Sequence, residues 1–119
     1  MVIQSARQQT ALDYALEVIR KSPVFPYVKA AYLFGSCARK EERFESDVDL
    51  LLVLREEFEE IAETDWEMRR AARRLSSHVS VPAYREPKVD LKLVIGDEWE
   101  TSEMFFFQNV REDMVSLCL

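Results

Sequence analysis

Hydrophobic positions along the chain fall into two rhythms, one helical and one extended. From about Ile3 to Lys21, Leu12, Leu16 and Ile19 recur at helical spacing with Ala15 beside them. Ser22-Pro23 stops that helix, and Pro26 keeps the next stretch extended or turned. Residues 30 to 34, AAYLF, are short, apolar and ended by Gly35, as a buried strand would be, and Ser36 then opens a short helical segment, SCARKEER. DVDLLLVL, residues 47 to 54, has the content and length of a central strand. From Glu56 to about Val79 the pattern predicts one long helix. Ile61, Met68, Ala72, Leu75 and Val79 form its stripe, with acids early and arginines late, as the helix dipole favours. Residues 81 to 87 form a loop with two prolines. KVDLKLVIG then alternates, with Val89, Leu91, Leu93 and Ile95 on one face and Asp90 and Lys92 on the other. The last segment, from about Asp97 to Ser116, is predicted helical, with Trp99, Phe106, Val110, Met114 and Leu117 along one face. This order predicts an α/β or α+β fold, a small sheet covered by helices on at least one side.

Length predicts one domain spanning residues 1–119, and a hydrophobic share of 48% is enough for a core. The formal net charge of −6 argues against nonspecific gripping of long nucleic acid, which needs a basic face. It leaves room for a nucleotide bound through metal. Cys37 and Cys118 lack CxxC spacing and any His/Cys cluster, so both read as free thiols in an intracellular, cytoplasmic protein. No signal peptide or membrane span is expected.

The candidate chemistry lies in three acids. Asp47 and Asp49 stand two apart on a predicted strand, so both side chains point the same way, about 7 Å apart at Cα. Asp90 begins another strand; if the two strands are neighbours, three carboxylates converge. Two like charges about 4 Å apart repel by roughly 4 kcal/mol at an effective dielectric near 20. Such a cluster is tolerated when a cation sits between the acids or one acid is protonated. Hard oxygen ligands select Mg²⁺ or Mn²⁺, and Asp-x-Asp with a third Asp suits two-metal phosphoryl or nucleotidyl transfer. The plain alternative is a pair of strand-end acids on a solvated rim. Against it, Asp is a poor strand former, yet two of them open the most apolar run in the chain. Gly35-Ser36, where a strand passes into a short helix, is alone an ordinary turn; ahead of Asp47-x-Asp49 it supplies a phosphate-binding half.

FGSCARKEERFESDVDLLLV resembles the signature of the polymerase-beta-type nucleotidyltransferases, especially the minimal prokaryotic (MNT-type) members found in HEPN/MNT toxin–antitoxin pairs. That signature is Gly-Ser, about ten residues, Asp-x-Asp, then hydrophobics; here residues 37 to 46 fill the gap. Ala38-Arg39 and Ser46-Asp47 match common variants. VDLKLV resembles the strand bearing the third carboxylate, and FQNVREDMVSL resembles the closing helix of minimal members. Lys40 departs from the pattern, since many members carry glycine there; an altered turn with unaltered chemistry is expected. The resemblance implies an α+β, polymerase-beta-like fold with a small mixed sheet flanked by helices. It implies that Gly35 and Ser36 hold the β- and γ-phosphates of a nucleoside triphosphate, most often ATP, and that Asp47, Asp49 and Asp90 bind two metal ions. Asp90 would also help deprotonate the acceptor hydroxyl, and Arg39 would touch phosphate or remain a surface arginine. Larger relatives hold acceptors with extra domains, so a small acceptor or a partner is expected. The implied function is transfer of AMP from ATP to a HEPN-type helical partner. The rival readings are an inactive antitoxin that neutralises its partner by covering it, and a small-molecule transferase acting on an aminoglycoside-like substrate.

Other features carry open readings. Lys92 shares a face with Asp90 and either offsets its charge or meets phosphate. His78 lies near a helix C-terminus, where a cation is mildly favoured. Arg69, Arg70, Arg73 and Arg74 form either a partner or RNA patch or a solvated helix face. Met104 to Phe107 cannot all point inward from one helix, so some meet a partner subunit, as in a homo-oligomer, or the long helix.

Overall fold

The computed structural model describes residues 1–119, and its architecture follows from where the apolar stripes can be buried. Helix α1 (Ala6–Lys21) puts Ala11, Leu12, Ala15, Leu16 and Ile19 into the core. A 3₁₀ turn at Phe25–Tyr27 leads into β1 (Val28–Phe34), and α2 (Ser36–Arg39) separates it from β2 (Val48–Leu54). Helices α3 (Glu57–Thr64) and α4 (Trp66–His78) precede β3 (Val89–Ile95), and α5 (Phe105–Asp113) precedes β4 (Val115–Leu117).

The four strands form one mixed sheet in the order β3-β2-β1-β4. β1 is antiparallel to β2 and β4, while β2 is parallel to β3. This is the α+β fold with a small mixed sheet and flanking helices that the sequence predicted. β2 sits in the interior of the sheet and is the most buried strand. Its Val48, Leu50, Leu52 and Leu54 join α1, Phe58, Leu75 and Val79 in the main core. Its Leu51 and Val53 face the other way, into a smaller cluster with Trp99 and Val110. That near-continuous apolar run is what a strand covered on both faces requires.

Three expectations need correction. The single helix from Glu56 to Val79 is two helices, broken at Asp65, whose side chain accepts a hydrogen bond from the Met68 N–H at 3.1 Å. The favourable N-cap outweighs helix continuity there, and the bend lets Phe58 and Leu75 enter the same core. The predicted helix from Asp97 to Ser116 is a 3₁₀ turn (Glu98–Glu100), then α5, then β4. The helical stripe through Leu117 therefore fails: Val115, Ser116 and Leu117 pair with Leu33, Tyr32 and Ala31 of β1. Finally, the short helix that opens at Ser36 ends at Arg39 rather than running through SCARKEER, and Gly35 is its N-cap.

Lys40 stands where the resembled signature often carries glycine, and its backbone shows what a glycine would relieve. Lys40 closes α2 with φ 62° and ψ 36°, a left-handed conformation that costs a residue with a Cβ about 1 kcal/mol. Lys40→Gly is expected to raise the unfolding free energy by about 0.5–1 kcal/mol. Urea denaturation checks this as a higher midpoint at unchanged slope.

Candidate active site

Strand register decides which acids meet. β1 ends where β2 begins, because the two are antiparallel, and β3 begins at that same end, because it is parallel to β2. Asp49 is therefore paired with Phe34 on one side and with Asp90 on the other. In-register neighbours on adjacent strands project to the same face, so Asp49 and Asp90 stand side by side on the face that carries Leu51 and Val53. Asp47 lies just before the strand, exposed, and its charge still reaches Asp49.

Asp49 is the strained member. Burial, then Asp90, then Asp47 push its pKa from 3.8 up to about 6, while Arg39 and Lys92 pull it only partly back. Lys92 Nζ stands 3.9 Å from Asp90 Oδ1, which answers its sequence reading as a charge partner for Asp90. The local excess of negative charge is the condition a divalent cation relieves. The donor set also fits Mg²⁺ or Mn²⁺, being carboxylate oxygen with no thiolate or imidazole. The acids are not drawn into a ready cage: no three acidic, histidine or cysteine side chains are grouped closely enough to hold one ion. Mg²⁺ usually takes only one or two protein carboxylates and fills its shell with water and phosphate, so a full cage is not required.

Gly35 packs against Asp49. Its φ of 77° with ψ of −159° belongs to glycine, and a Cβ there would lie 2.4 Å from Asp49 Oδ2. The backbone of Gly35-Ser36 is thus brought into contact with the Asp49 carboxylate by the absence of a side chain. The Ala38 and Arg39 N–H groups both donate to the Gly35 carbonyl, which winds α2 directly after the turn. Cys37 is buried, donates its thiol to the Asp47 carbonyl at 3.4 Å and is pushed up to about 11, chiefly by burial. It is a neutral packing residue, not a nucleophile.

Arg39 is held, not free. Its Nη1 lies 2.6 Å from Asp113 Oδ2 and its Nε lies 3.2 Å from Glu41 Oε2. These contacts raise its pKa further, Asp113 most. Asp113 was missed by sequence reasoning, since only the unforeseen turn from α5 into β4 brings it to this rim. Gln8 was also missed, though a signal existed: it stands four residues before Leu12, a polar residue on the core stripe. Fully buried, its Nε2 donates to the carbonyls of Arg43, Phe44 and Ser46, fixing the loop that delivers Asp47.

The remaining candidates lie elsewhere. His78 caps the far end of α4, where its Nδ1 is 2.8 Å from the Arg74 carbonyl. A cleft of about 610 Å³ lies between α1 and α4 and includes none of the three acids. Phe106 packs edge-on against Phe34, next to Gly35, whereas Met104 and Phe105 are exposed. No helix is long and apolar enough to cross a membrane.

Comparison with known proteins bears on the family and the fold. The family model for polymerase beta nucleotidyltransferases matches residues 17–109, a span that contains Gly35, Ser36, Asp47, Asp49 and Asp90. No curated protein matches. Among solved structures, a candidate nucleotidyltransferase from Sulfolobus solfataricus superposes with a TM-score of 0.56 at 22% identity, over 92% of this chain and 81% of that one. A toxin–antitoxin structure with AMP-PNP gives a TM-score of 0.47 at 20% identity, over 89% and 71%. The first of these shows a shared fold.

The raised Asp49 pKa makes a signed prediction. An acid that is harder to ionise when folded destabilises the fold as pH rises, from the unfolded value near 3.8 to the folded value near 6. Asp49→Asn removes that penalty. Without divalent cations at about pH 8, it is expected to be more stable than the parent by about 1 kcal/mol, allowing for screening of a partly exposed group. The difference should vanish by about pH 4, as read by thermal unfolding across pH.

Proposed function

The chain belongs to the polymerase beta nucleotidyltransferase family, and on that premise we propose that it transfers AMP from ATP to a hydroxyl on a helical, HEPN-type protein partner, acting as an antitoxin. The observation that carries the transferase reading is the in-register pairing of Asp49 with Asp90, with the Gly35 backbone close against Asp49. Phosphate cradle and carboxylates are then one site rather than two surface features.

Asp47, Asp49 and Asp90 would hold Mg²⁺ or Mn²⁺, which supplies positive charge against the triphosphate and the developing charge of the transition state. Gly35 and Ser36 would receive the β- and γ-phosphates, where the missing Cβ allows close approach. Arg39 would reach phosphate by exchanging Asp113 for it, a trade of one charge-assisted contact for another. Asp90, at the edge of the acid pair and with its side chain 44% exposed, would accept the proton of the acceptor hydroxyl at a carboxylate oxygen. The acceptor oxygen then bonds to the α-phosphorus as the bond to pyrophosphate breaks.

A second reading is favoured by the exposed Met104 and Phe105: a module that neutralises its partner by covering it, with the acids unused.

Incubating the chain with ATP labelled at the α-phosphate, Mg²⁺ and a HEPN-type partner encoded beside it should move label onto the partner. Asp49→Asn should cut the rate at least about 100-fold while partner binding persists. Full neutralisation of the partner by that variant would instead support covering.

A further inference from the structure

We propose that the cleft between α1 and α4 is a docking groove for an acidic amphipathic helix of a partner protein. Trp66, Arg70, Arg74 and Lys21 surround an apolar floor that includes Val18 and Leu75, within about 610 Å³ of open volume. Trp66 is 57% exposed, an unusual position for so large an apolar side chain, and the Arg70 guanidinium lies 5.7 Å from its ring centroid.

The charges of this face are unspent. Arg69, Arg70, Arg73 and Arg74 are all exposed, and none forms an ion pair. Five glutamates, from Glu56 to Glu63, stand just upstream, yet no bridge joins the two sets. Only Lys21 is engaged, by Glu17 at 3.4 Å. Four free guanidiniums beside an apolar groove suit carboxylates flanking apolar anchors, the pattern of a helix laid in a groove. At 1.5 Å per residue the 13 residues of α4 offer about 20 Å, room for three to four turns of an occupant.

Charge also selects among occupants. Nucleic acid would meet Glu67 inside the cleft, the acids of α3 alongside and a chain of net charge −6. A second copy cannot offer its own acidic helix as the apolar anchor, because Phe58 of α3 is already buried in its core. The floor of the groove is built by α1 and α4 on the main-core face of the sheet, whereas Asp49 and Asp90 lie on the other face. An occupant therefore leaves the carboxylates open.

The test uses the full chain and a synthetic 14-residue helical peptide with leucines at helical spacing on one face and glutamates beside them. The peptide should shift the emission of exposed Trp66 to the blue. Its counterpart with glutamine for glutamate should bind at least about tenfold more weakly, as should the glutamate peptide itself on raising salt or on the Arg70→Glu/Arg74→Glu variant, neither of which should much change binding of the glutamine peptide. Asp49→Asn should bind the peptide as the parent does. Should the charge-reversed variant misfold, Arg70→Gln with Arg74→Gln gives the same reading. The proposal is overturned by equal binding of the two peptides, by binding that survives loss of both arginines, or by tighter binding of a short poly(U) RNA. It is also overturned by a self-association, seen in sedimentation, that the arginine variant abolishes.

Discussion

Hydrogen-bonded register between two parallel strands forces Asp49 and Asp90 to share one face, and most of what distinguishes this molecule follows from that constraint. The acids cannot separate without slipping β2 against β3. A slip of one residue would turn Leu50, Leu52 and Leu54 out of the main core. The apolar interior thus holds the like charges together, and their repulsion, added to burial, lifts Asp49 to about 6. Packing thus meets the energy of holding Asp49 beside Asp90 before any ligand arrives.

Around that pair, the supporting parts each act on backbone position. Gly35 clears the space over Asp49, and Gln8 fixes the carbonyls of the loop that presents Asp47. The Arg39–Asp113 contact joins the short helix after the Gly35-Ser36 turn to the end of α5. Phe106 against Phe34 braces the same corner from the sheet face. α5 and the strand after it are therefore part of the site's frame.

Much of this was legible in the residues. The alternation of Val89, Leu91 and Leu93 against Asp90 and Lys92 gave the strand and its face, and the unbroken run after Asp49 marked a strand covered on both sides. Placing Asp90 beside Asp49 was conditional on strand adjacency, which periodicity does not encode. The break at Asp65 escaped because a capping aspartate and a mid-helix aspartate look alike until tertiary packing selects one. β4 escaped because three residues give no period, and its pairing with β1 is a long-range contact. The clearest local signal passed over was Gln8, a polar residue on an apolar stripe, which marks a buried amide with carbonyls to satisfy.

The proposed chemistry requires Asp49 and Asp90 to act jointly on a divalent cation. Titrating Mn²⁺ in the presence of a non-hydrolysable ATP analogue, followed by electron paramagnetic resonance, measures that directly. Binding should be clear in the parent chain and weakened at least about tenfold by Asp90→Asn, with the fold unchanged by circular dichroism. Mn²⁺ affinity that is the same with and without the Asp90 carboxylate would contradict it.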